Sequence, residues 1–557
     1  MKQLPPGFTD GRTVPPDTAF SADVCIVGSG PVGLSMAEDL AARGLTVCMV
    51  ESGGLEYDAA EHELCRAELG GDRAVDPHVI RTRQFGGLSN AWSIVYDRPT
   101  IGVRYVPFDA IDLEARPEIP HSGWPLGLNE LRPWYESAQA VCELGEFAYD
   151  GSSQATPDLP CLDSVGGELR TTLFQFGPSS RFFLKSKDIL ARSGRVQVLL
   201  HTTALELATS EDDGHVKALQ VGCLNGRRFR VVARSYVLAT GAIENARLML
   251  LSNGTNPAGV GNRHDVLGRY LMDHPQDHSS HIVPSSRAMY DRLGLYDLRA
   301  TGGVGYMAKL GFSPEAIRHH DVLNMSFLLF PLDATSLSPA VNSFRSLVTG
   351  QSRFAPPPTL GGKLAAMARD PFSIVQHLYR FYAQPGVLSS IGRGGWSQVP
   401  HKSRTFVDHI EVVNQVEQYP HPDNRVVLGD GRDALGQRRL RYEFSWRPED
   451  QDRFVRSRQL FGRLSQEAGL GRYHFDPEKP PGIPSSHHPM GTTRMHADPA
   501  QGVVDANCQV HGVDNLFVAG ASVFPTGGYA NPTLSAIALG LRLAAFLAAL
   551  SPLLDLG

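Results

Sequence analysis

The sequence has no CxxC pair, no CxxCH heme-attachment motif, no internal repeat and no low-complexity tract. Its cysteines are few and dispersed, at positions 25, 48, 65, 142, 161, 223 and 508. Such a set predicts reduced thiols in a cytoplasmic protein rather than a disulfide framework. Among its 20 histidines, neither His274 and His278 nor the adjacent His319 and His320 have partners at metal-ligand spacing. We therefore predict no metal.

An excess of basic residues is also missing. The chain has 52 Lys and Arg against 58 Asp and Glu, so it presents no overall basic character and we expect no nucleic acid partner. Residues 1–20 are polar and Pro-rich, which predicts no secretion signal. The one long apolar run, residues 533–550, carries Arg542 in its middle. Because an arginine is costly at a bilayer centre, we predict a buried helix and no transmembrane segment.

Residues 23–51 predict a β-α-β unit within an α/β fold. An apolar strand over 23–28 precedes a helix over 31–43, and a second strand over 45–50 ends at Glu51. The intervening GSGPVG motif is typical of dinucleotide binding. Its alternative is a glycine-rich turn in a generic α/β unit, and the motif alone does not separate NAD from FAD.

The three glycines and Glu51 have distinct expected tasks. Gly28 permits the tight turn, Gly30 lets a pyrophosphate approach the backbone, and Gly33 lets helix and strand pack closely. The helix N-terminus, at Pro31, then faces the phosphates. The Glu51 carboxylate can accept hydrogen bonds from ribose hydroxyls.

Further dinucleotide-fold elements lie far along the chain. Residues 235–252 predict a strand, a turn over 239–241 and a helix, and residues 515–522 predict another strand that ends in glycine. A cofactor that reaches both ends of the chain suits FAD better than NAD. We also expect a helix over 128–142, a hairpin around Asn225–Gly226, and two strands around the Pro/Asp/Asn turn within 409–431.

His488 and Asn531 lie at the ends of two loops, in HPMGTTRM and GGYANPT. A neutral imidazole takes an alcohol proton near pH 7, and an amide orients the oxygen. His488 can instead be a structural histidine, and a shifted loop would exchange it for His487. Asn531 can instead be a helix cap, followed by Pro532 and Thr533 in the first turn.

At this point the chain resembles the glucose–methanol–choline (GMC) oxidoreductases. The resemblance rests on DVCIVGSGPVG, Glu51, RQFGGLSNAW, LATGAIENARLMLLS, LGRYLMDHP, HPMGTTRM and the ANPT segment, in the family's order. The GGLSNAW and ANPT segments are most similar to the sugar-oxidising members, pyranose oxidase and membrane-bound fructose or gluconate dehydrogenases. Residues 279–400 match nothing in the family pattern.

The resemblance implies the fold and the site. It implies a Rossmann-like FAD-binding domain (21–100, 190–278 and 484–557) and a substrate domain with a mainly antiparallel sheet (101–189 and 279–483). It implies His488 as the base and Asn531 as its partner, with hydride passing to flavin N5, and it directs the positive end of the following helix at the flavin. Ala91 stands where pyranose oxidase has a flavin-linked histidine, so FAD is expected to be non-covalent.

The cofactor-binding set expected from motif and resemblance together is Gly28, Gly30, Pro31, Gly33, Glu51, Gly86, Gly87, Ser89, Asn90, Ala91, Ala204, Ala239, Gly241, Gly520, Ala521, Asn531, Pro532 and Thr533. Asn90 has a plain alternative, which is to hold a tight turn.

The resulting hypothesis is an FAD-dependent oxidoreductase acting on a CH–OH group of a sugar or glycoside. The alternatives are a GMC enzyme acting on a non-sugar alcohol in a biosynthetic pathway, an NAD-dependent dehydrogenase, and a non-enzymatic flavoprotein. Oxygen, a quinone or a redox partner subunit would each serve as electron acceptor.

Overall fold

The computed structural model describes residues 3–92, 94–95, 100–286, 289–350, 356–383, 407–482 and 487–554. Three sheets organise these residues. The first sheet is mostly parallel, in the order Phe8–Asp10, Val196–Leu200, Val47–Val50, Ala19–Val27, Arg228–Leu238, Val216–Gly222 and Thr203–Thr209, and Leu516–Val518 also pairs with Arg228–Leu238.

The second sheet is antiparallel in its strand pairs, as the family resemblance implied. Its order is Gly471–His474, Gln276–Pro284, Val407–Val416, Met325–Asp333, Val304–Phe312, Leu169–Pro178, Thr100–Tyr105 and Ile94–Val95, with Arg299–Thr301 beside Val304–Phe312. A small third sheet contains Arg425–Arg432, Arg438–Glu443 and Ala67–Gly70.

Helices surround the sheets. The α-helices are Pro31–Ala42, Ala59–His62, Pro77–Ile80, Ala110–Leu113, Leu128–Val141, Lys185–Ser193, Ala242–Leu251, Met289–Arg292, Pro314–His320, Pro339–Thr349, Leu360–Arg369, Pro371–Ala383, Pro448–Glu467 and Thr533–Leu554. The described 3-10 turns are Gly11–Thr13, Glu63–Cys65, Gly87–Ala91, Gly151–Ser153, Ser179–Arg181, Leu293–Tyr296, Ala334–Leu337 and Ala521–Val523.

The central strands of the first sheet are apolar because both faces are covered. The C-terminal half of Ala19–Val27, from Val24 onward, and all of Val47–Val50 are buried, which is the pattern of parallel strands packed on two sides. The helix Pro31–Ala42 begins with proline at its first position and ends before Gly44, whose φ is 94°. The predicted β-α-β unit is confirmed, with boundaries shifted by a few residues.

The two strands expected within 409–431 exist, but they do not pair with each other. Val407–Val416 pairs with Gln276–Pro284 and Met325–Asp333 in the second sheet, and its residues 410–416 are buried. Arg425–Arg432 is partly exposed and pairs with Arg438–Glu443 in the third sheet. The Pro/Asp/Asn turn therefore connects strands of two different sheets and does not close a hairpin.

The C-terminal helix Thr533–Leu554 packs against Pro31–Ala42 and Leu128–Val141. Its stretch Thr533–Leu550 is long and apolar enough to cross a membrane by length and composition, and 61% of that stretch is buried inside the protein. Arg542 donates hydrogen bonds to the Ala506 carbonyl (2.7 Å) and to Asn507 Oδ1 (3.1 Å). The arginine that interrupts the apolar run thus ties the helix to the preceding loop.

The expected division into two domains stays a proposal. Strands of the first sheet come from residues 8–50, 196–238 and 516–518, and strands of the second sheet come from five other stretches between 94 and 474. Residues 483–486, at one expected boundary, lie outside the described part of the chain.

Candidate active site

A cavity of about 660 Å³ connects the turn after Ala19–Val27 with the two C-terminal loops. Fourteen residues expected to hold the cofactor line it, and they come from six separate stretches of sequence. They are Gly28, Gly30, Pro31, Glu51, Gly87, Ala91, Ala204, Ala239, Gly241, Gly520, Ala521, Asn531, Pro532 and Thr533. One ligand that touches all of them must be long, as FAD is.

The glycine turn fits a pyrophosphate closely. Gly28 has φ of 102°, and a Cβ there would lie 2.7 Å from the Ala239 carbonyl oxygen. A Cβ on Gly33 would lie 2.1 Å from the Gly28 carbonyl oxygen, so this glycine serves packing. Gly30 has open space where its Cβ would be, which lets a ligand approach the backbone at the start of the helix.

Glu51 is held at the end of its strand by hydrogen bonds to neighbouring loops. One carboxylate oxygen accepts from the Ser29 N–H (3.1 Å) and hydroxyl (2.6 Å), and the other accepts from the Gly53 N–H (2.7 Å). The oxygen that accepts from Gly53 keeps a lone pair for a further donor. The carboxylate is therefore fixed where ribose hydroxyls would meet it.

Four of the expected cofactor residues do not line the cavity: Gly33, Gly86, Ser89 and Asn90. The last three build the turn beneath it. The Ser89 hydroxyl donates to the Gly86 carbonyl (2.6 Å), and Asn90 Nδ2 donates to the carbonyls of Phe85 and Gly87. Asn90 thus holds the tight turn, because its amide is used within the loop.

Five residues meet at the other end of the cavity: Arg104, His274, Gln415, His488 and Asn531. We call this group the catalytic corner. His488 Nε2 lies 3.3 Å from Asn531 Nδ2, and His488 Nδ1 lies 3.0 Å from His274 Nδ1. His487 also lines the cavity, with φ of 63°, but it is the His488 ring that contacts Asn531.

The loops that carry the two histidines are joined by backbone hydrogen bonds. Met272 and Met490 exchange N–H···O bonds of 3.1 and 2.9 Å. One carboxylate oxygen of Asp273 accepts from the backbone N–H groups of both His274 (2.7 Å) and His488 (2.8 Å). The relative position of the two imidazoles is therefore set by main-chain contacts.

Arg104 determines how the amides of the catalytic corner are oriented. Its Nε donates to Asn531 Oδ1 (3.4 Å) and its second terminal nitrogen donates to Gln415 Oε1 (2.7 Å). A guanidinium only donates, so both amide oxygens must face it. The Asn531 NH₂ then points at His488 Nε2, which becomes the acceptor, and the His488 proton lies on Nδ1 toward His274.

The Gln415 amide completes this arrangement. Its Nε2 donates to the Tyr529 carbonyl (2.7 Å) and lies 3.4 Å from His274 Nδ1. His274 Nδ1 therefore acts as an acceptor, consistent with a proton on His488 Nδ1. The unprotonated nitrogen of His488 is Nε2, which lies beside Asn531.

Burial and nearby positive charge keep these imidazoles neutral. Burial, followed by His274, Arg104, Arg81 and His487, holds the pKa of His488 well below its usual value. Burial lowers the pKa of His274 to about 4. Burial also lowers the pKa of Arg104 to about 10, and no carboxylate among the described residues forms an ion pair with it. The guanidinium is thus a buried positive charge without a counter-ion.

The expectation that Asn531 caps the C-terminal helix needs a correction. The helix begins at Thr533, and the Pro532 carbonyl accepts the first bond, from Ala536 N–H (2.8 Å). Pro532 is therefore at the N-cap, and the Asn531 side chain contacts Arg104 and His488 instead.

A buried lysine supports the loop that presents Asn531. Lys309 Nζ donates to the hydroxyls of Thr172 (2.6 Å) and Tyr529, and lies 3.9 Å from the Tyr529 ring centroid. Burial lowers its pKa to about 7. Lys309 thus contacts the loop at Tyr529, which precedes Asn531 by two residues.

Several lining residues were not expected from the sequence, notably Arg81, Arg104 and Gln276. Arg81 lies within the quoted RTRQFGG stretch, so the motif contained its signal. Arg104 and Gln276 lie on strands of the second sheet, where nothing in the local pattern distinguishes them from other polar residues.

A surface group of metal-binding residue types lies away from this site. Glu168 comes within reach of His319 and His320, a proximity that sequence spacing did not reveal. His320 Nε2 lies 2.7 Å from Glu168 Oε1, so these two side chains hydrogen-bond directly.

Comparison with known proteins now adds the family. Residues 420–540 match the model described as GMC oxidoreductase, and residues 21–70 match the model described as FAD binding domain. The chain therefore contains a GMC oxidoreductase C-terminal domain and an FAD-binding domain. It uses FAD and acts on a CH–OH group, which excludes the NAD-dependent alternative.

Relatives align with this chain over nearly its whole length. Paromamine 6'-oxidase of Streptomyces fradiae is 27% identical over 93% of this chain and 90% of that protein. The 6'''-hydroxyparomomycin C oxidase of Streptomyces lividus is 26% identical over 97% and 93%. The solved structure of pyridoxine 4-oxidase from Mesorbium loti has a TM-score of 0.52 at 17% identity, over 94% of this chain and 98% of that one, and supports the same fold.

Proposed function

We propose that this enzyme oxidises a hydroxyl group of a sugar or glycoside, with His488 as the base. The observation that carries the proposal is the catalytic corner, where His488 Nε2 accepts from the Asn531 amide and both residues line the cavity. When bound, FAD accepts the hydride that leaves the alcohol carbon. It is expected to be held without a covalent link, because Ala91 offers no nucleophile.

The residues of the chain divide the proton chemistry between them. The alcohol oxygen enters between His488 and Asn531 and replaces their mutual contact. Its O–H then donates to His488 Nε2, and the imidazole takes the proton as the C–H bond breaks. The Asn531 amide donates to the developing alkoxide. The unpaired charge of Arg104 lies behind Asn531 and favours negative charge on that oxygen. The proton on His488 Nδ1 stays directed at His274, which keeps the ring in one tautomer.

Polar side chains at this end of the cavity support a polyhydroxylated substrate. Gln276, Arg104 and His487 line it and offer donors and acceptors to several hydroxyls. Two relatives of nearly full length are named paromamine 6'-oxidase and 6'''-hydroxyparomomycin C oxidase. A non-sugar alcohol is the second candidate, because another relative of nearly full length, 24% identical over 94% of this chain, is named 2-methyl-1,2-propanediol dehydrogenase.

The charges near His488 favour a neutral substrate over an amine-bearing one. Arg104 lines this end and forms no ion pair with a described carboxylate, whereas the lining carboxylates Glu244 and Asp433 are paired with Arg83 (2.9 Å) and Arg247 (2.6 Å), and Glu51 lies at the glycine turn. An ammonium group beside the Arg104 guanidinium would be repelled. We therefore expect neutral glycosides to react faster than aminoglycosides.

An anaerobic substrate screen tests the function. The purified enzyme is mixed with neutral sugars, glycosides, aminoglycosides and simple alcohols, and loss of the oxidised-flavin absorbance is followed. Bleaching by sugars or glycosides supports the proposal, and bleaching by non-sugar alcohols alone would contradict it. Readmission of oxygen then distinguishes oxygen from a quinone or a partner subunit as the electron acceptor.

We place the reaction in the cytoplasm, in keeping with seven free cysteines.

A further inference from the structure

Three consecutive helices project from the second sheet. Pro339–Thr349, Leu360–Arg369 and Pro371–Ala383 lie between the strands Met325–Asp333 and Val407–Val416. We call these three helices the helical insert. They pack mainly against one another and against the turn Ala334–Leu337. The insert therefore forms a small layer of its own at one end of the sheet.

The helical insert concentrates the exposed apolar side chains of the chain. Of the 13 large hydrophobic residues that are exposed among the described residues, seven lie in it: Leu347, Val348, Leu360, Leu364, Phe372, Val375 and Tyr379. Phe372, Val375 and Tyr379 are 69, 62 and 66% exposed and share one helix face by their spacing. A cluster of this kind is uncommon on a monomeric surface and indicates an interaction site.

The same stretch of sequence is strongly basic. The three helices contain four of the 52 lysines and arginines, at positions 345, 363, 369 and 380, and none of the 58 acidic residues, and Asp370 lies between the second and third helix. That carboxylate accepts from the Ser338 hydroxyl (3.0 Å) and the Ser373 N–H (3.1 Å). Positive charge and exposed apolar residues thus coincide in a chain whose net charge is −6.

We propose that the helical insert docks this enzyme on an anionic lipid bilayer surface. Amphipathic helices with basic residues and exposed Phe, Leu and Val insert their apolar side into the headgroup region, and anionic lipid attracts the charge. A symmetric contact between two copies would instead bring two basic segments together, which is unfavourable. The charge of the segment therefore favours lipid as the occupant.

The position of the insert is compatible with catalysis. Asp333 pairs with Val407 at the insert end of the sheet, whereas Gln415 in the catalytic corner pairs with Ser326 near the other end. Eight residues of extended strand separate Val407 from Gln415, which is about 27 Å. The insert can rest on a bilayer without contact between the lipid and His488. The inference does not depend on which hydroxyl the enzyme oxidises.

Vesicle flotation of the full-length, FAD-loaded enzyme tests the proposal. We expect it to float with phosphatidylcholine vesicles that contain phosphatidylglycerol, and not with phosphatidylcholine alone. Phe372→Ser/Val375→Ser/Tyr379→Ser should weaken binding at least about tenfold. Arg369→Glu should weaken it about fivefold or more, and about 0.5 M salt should release the wild type.

Matched variants outside the insert serve as controls. Val79→Ser/Val165→Ser removes two residues that are 66 and 88% exposed elsewhere, and Arg227→Glu reverses an exposed charge in the hairpin turn. Both should bind vesicles as the wild type does. Flavin content and substrate-driven bleaching in solution should be unchanged in all variants, which shows that each one folds.

Two outcomes would overturn the proposal. One is equal flotation of the wild type with anionic and neutral vesicles, or flotation with neither. The other is unchanged flotation of the triple variant together with a lower molar mass in light scattering, which would assign the apolar face to contact between copies of this chain.

Discussion

The catalytic corner buries polar side chains, whereas the helical insert exposes apolar ones. In the corner, the five residues come from five distant stretches of sequence. Arg104, His274, Gln415 and Asn531 are buried, and His488 is half-buried where it lines the cavity. In the insert, three neighbouring helices leave apolar side chains in solvent. Both arrangements cost folding free energy, since buried polar groups and exposed apolar ones are each unfavourable. Such costs at two separate places indicate two separate functions.

The largest expected effect is the loss of the base in the corner. His488→Ala removes the proton acceptor, so substrate-driven flavin reduction should fall about 10²- to 10⁴-fold. FAD content should remain, because the glycine turn and Glu51 are far along the cavity. Stopped-flow absorbance measures the rate, and His487→Ala is the neighbouring control with a much smaller loss. A normal rate in His488→Ala would remove this residue from the mechanism.

Removal of the arginine should have the next largest effect. Arg104→Gln no longer fixes the oxygen of Asn531, so the amide can turn and misdirect the substrate oxygen. We expect kcat to fall about ten- to a hundredfold, with KM changed less. Arg104→Lys keeps the positive charge but cannot donate to Asn531 and Gln415 in the same geometry, so its kcat should lie between those of the wild type and Arg104→Gln.

Steady-state kinetics on both Arg104 variants distinguishes the effect of the positive charge from the effect of orienting the Asn531 amide. If Arg104→Lys matched the wild type, the charge alone would be sufficient. If KM rose and kcat held, Arg104 would act in substrate binding and not in orienting Asn531.

The rate of flavin reduction should depend little on pH in the range where a solvent-exposed histidine titrates. Burial, with His274 and Arg104 close by, depresses the pKa of His488, so its neutral form persists as pH falls below 6.5. The rate of flavin reduction should stay level from about pH 8 to about pH 6 and fall only in more acidic buffer. A loss of half the rate near pH 6.5 would contradict this.

Lys309 provides the control for that profile. Its pKa is lowered to about 7 by burial, and it supports the loop of Asn531 through Tyr529. An inflection near pH 7 that disappears in Lys309→Met would therefore belong to the lysine.

The smallest expected effect concerns the stability of the insert. Phe372→Ser and Tyr379→Ser replace side chains that are mostly in solvent, so the free energy of unfolding should change by less than about 0.5 kcal/mol. Phe327→Ser, by contrast, removes a fully buried ring that stacks on Phe461 at 3.9 Å and should cost about 3–5 kcal/mol. Thermal and urea unfolding compare the two. A loss of several kcal/mol at Phe372 would mean that the face is covered in solution.

Prediction from sequence succeeded where chemistry is local. The β-α-β unit could be identified because strand, glycine turn and helix follow each other within about thirty residues. His488 and Asn531 could be proposed because each lies in a short motif. Arg104 and Gln415 could not, because their role arises only when two antiparallel strands bring them beside Asn531.

The fold itself shows the same limit. The turn between Val407–Val416 and Arg425–Arg432 resembles a hairpin in sequence, and only the partners available in space send the strands to different sheets. The start of the C-terminal helix differs by one residue from expectation because Asn531 is engaged by Arg104 and His488 and not by the helix backbone.

The two backbone hydrogen bonds that Asp273 accepts have a consequence for engineering. Because one carboxylate oxygen holds the main chain at both His274 and His488, neither histidine can be transplanted or repositioned by itself. Chimeras with other members of the family should exchange residues 272–274 and 488–490 together or leave both in place. Recombination points chosen between these two segments would be expected to yield proteins that retain flavin yet turn over slowly.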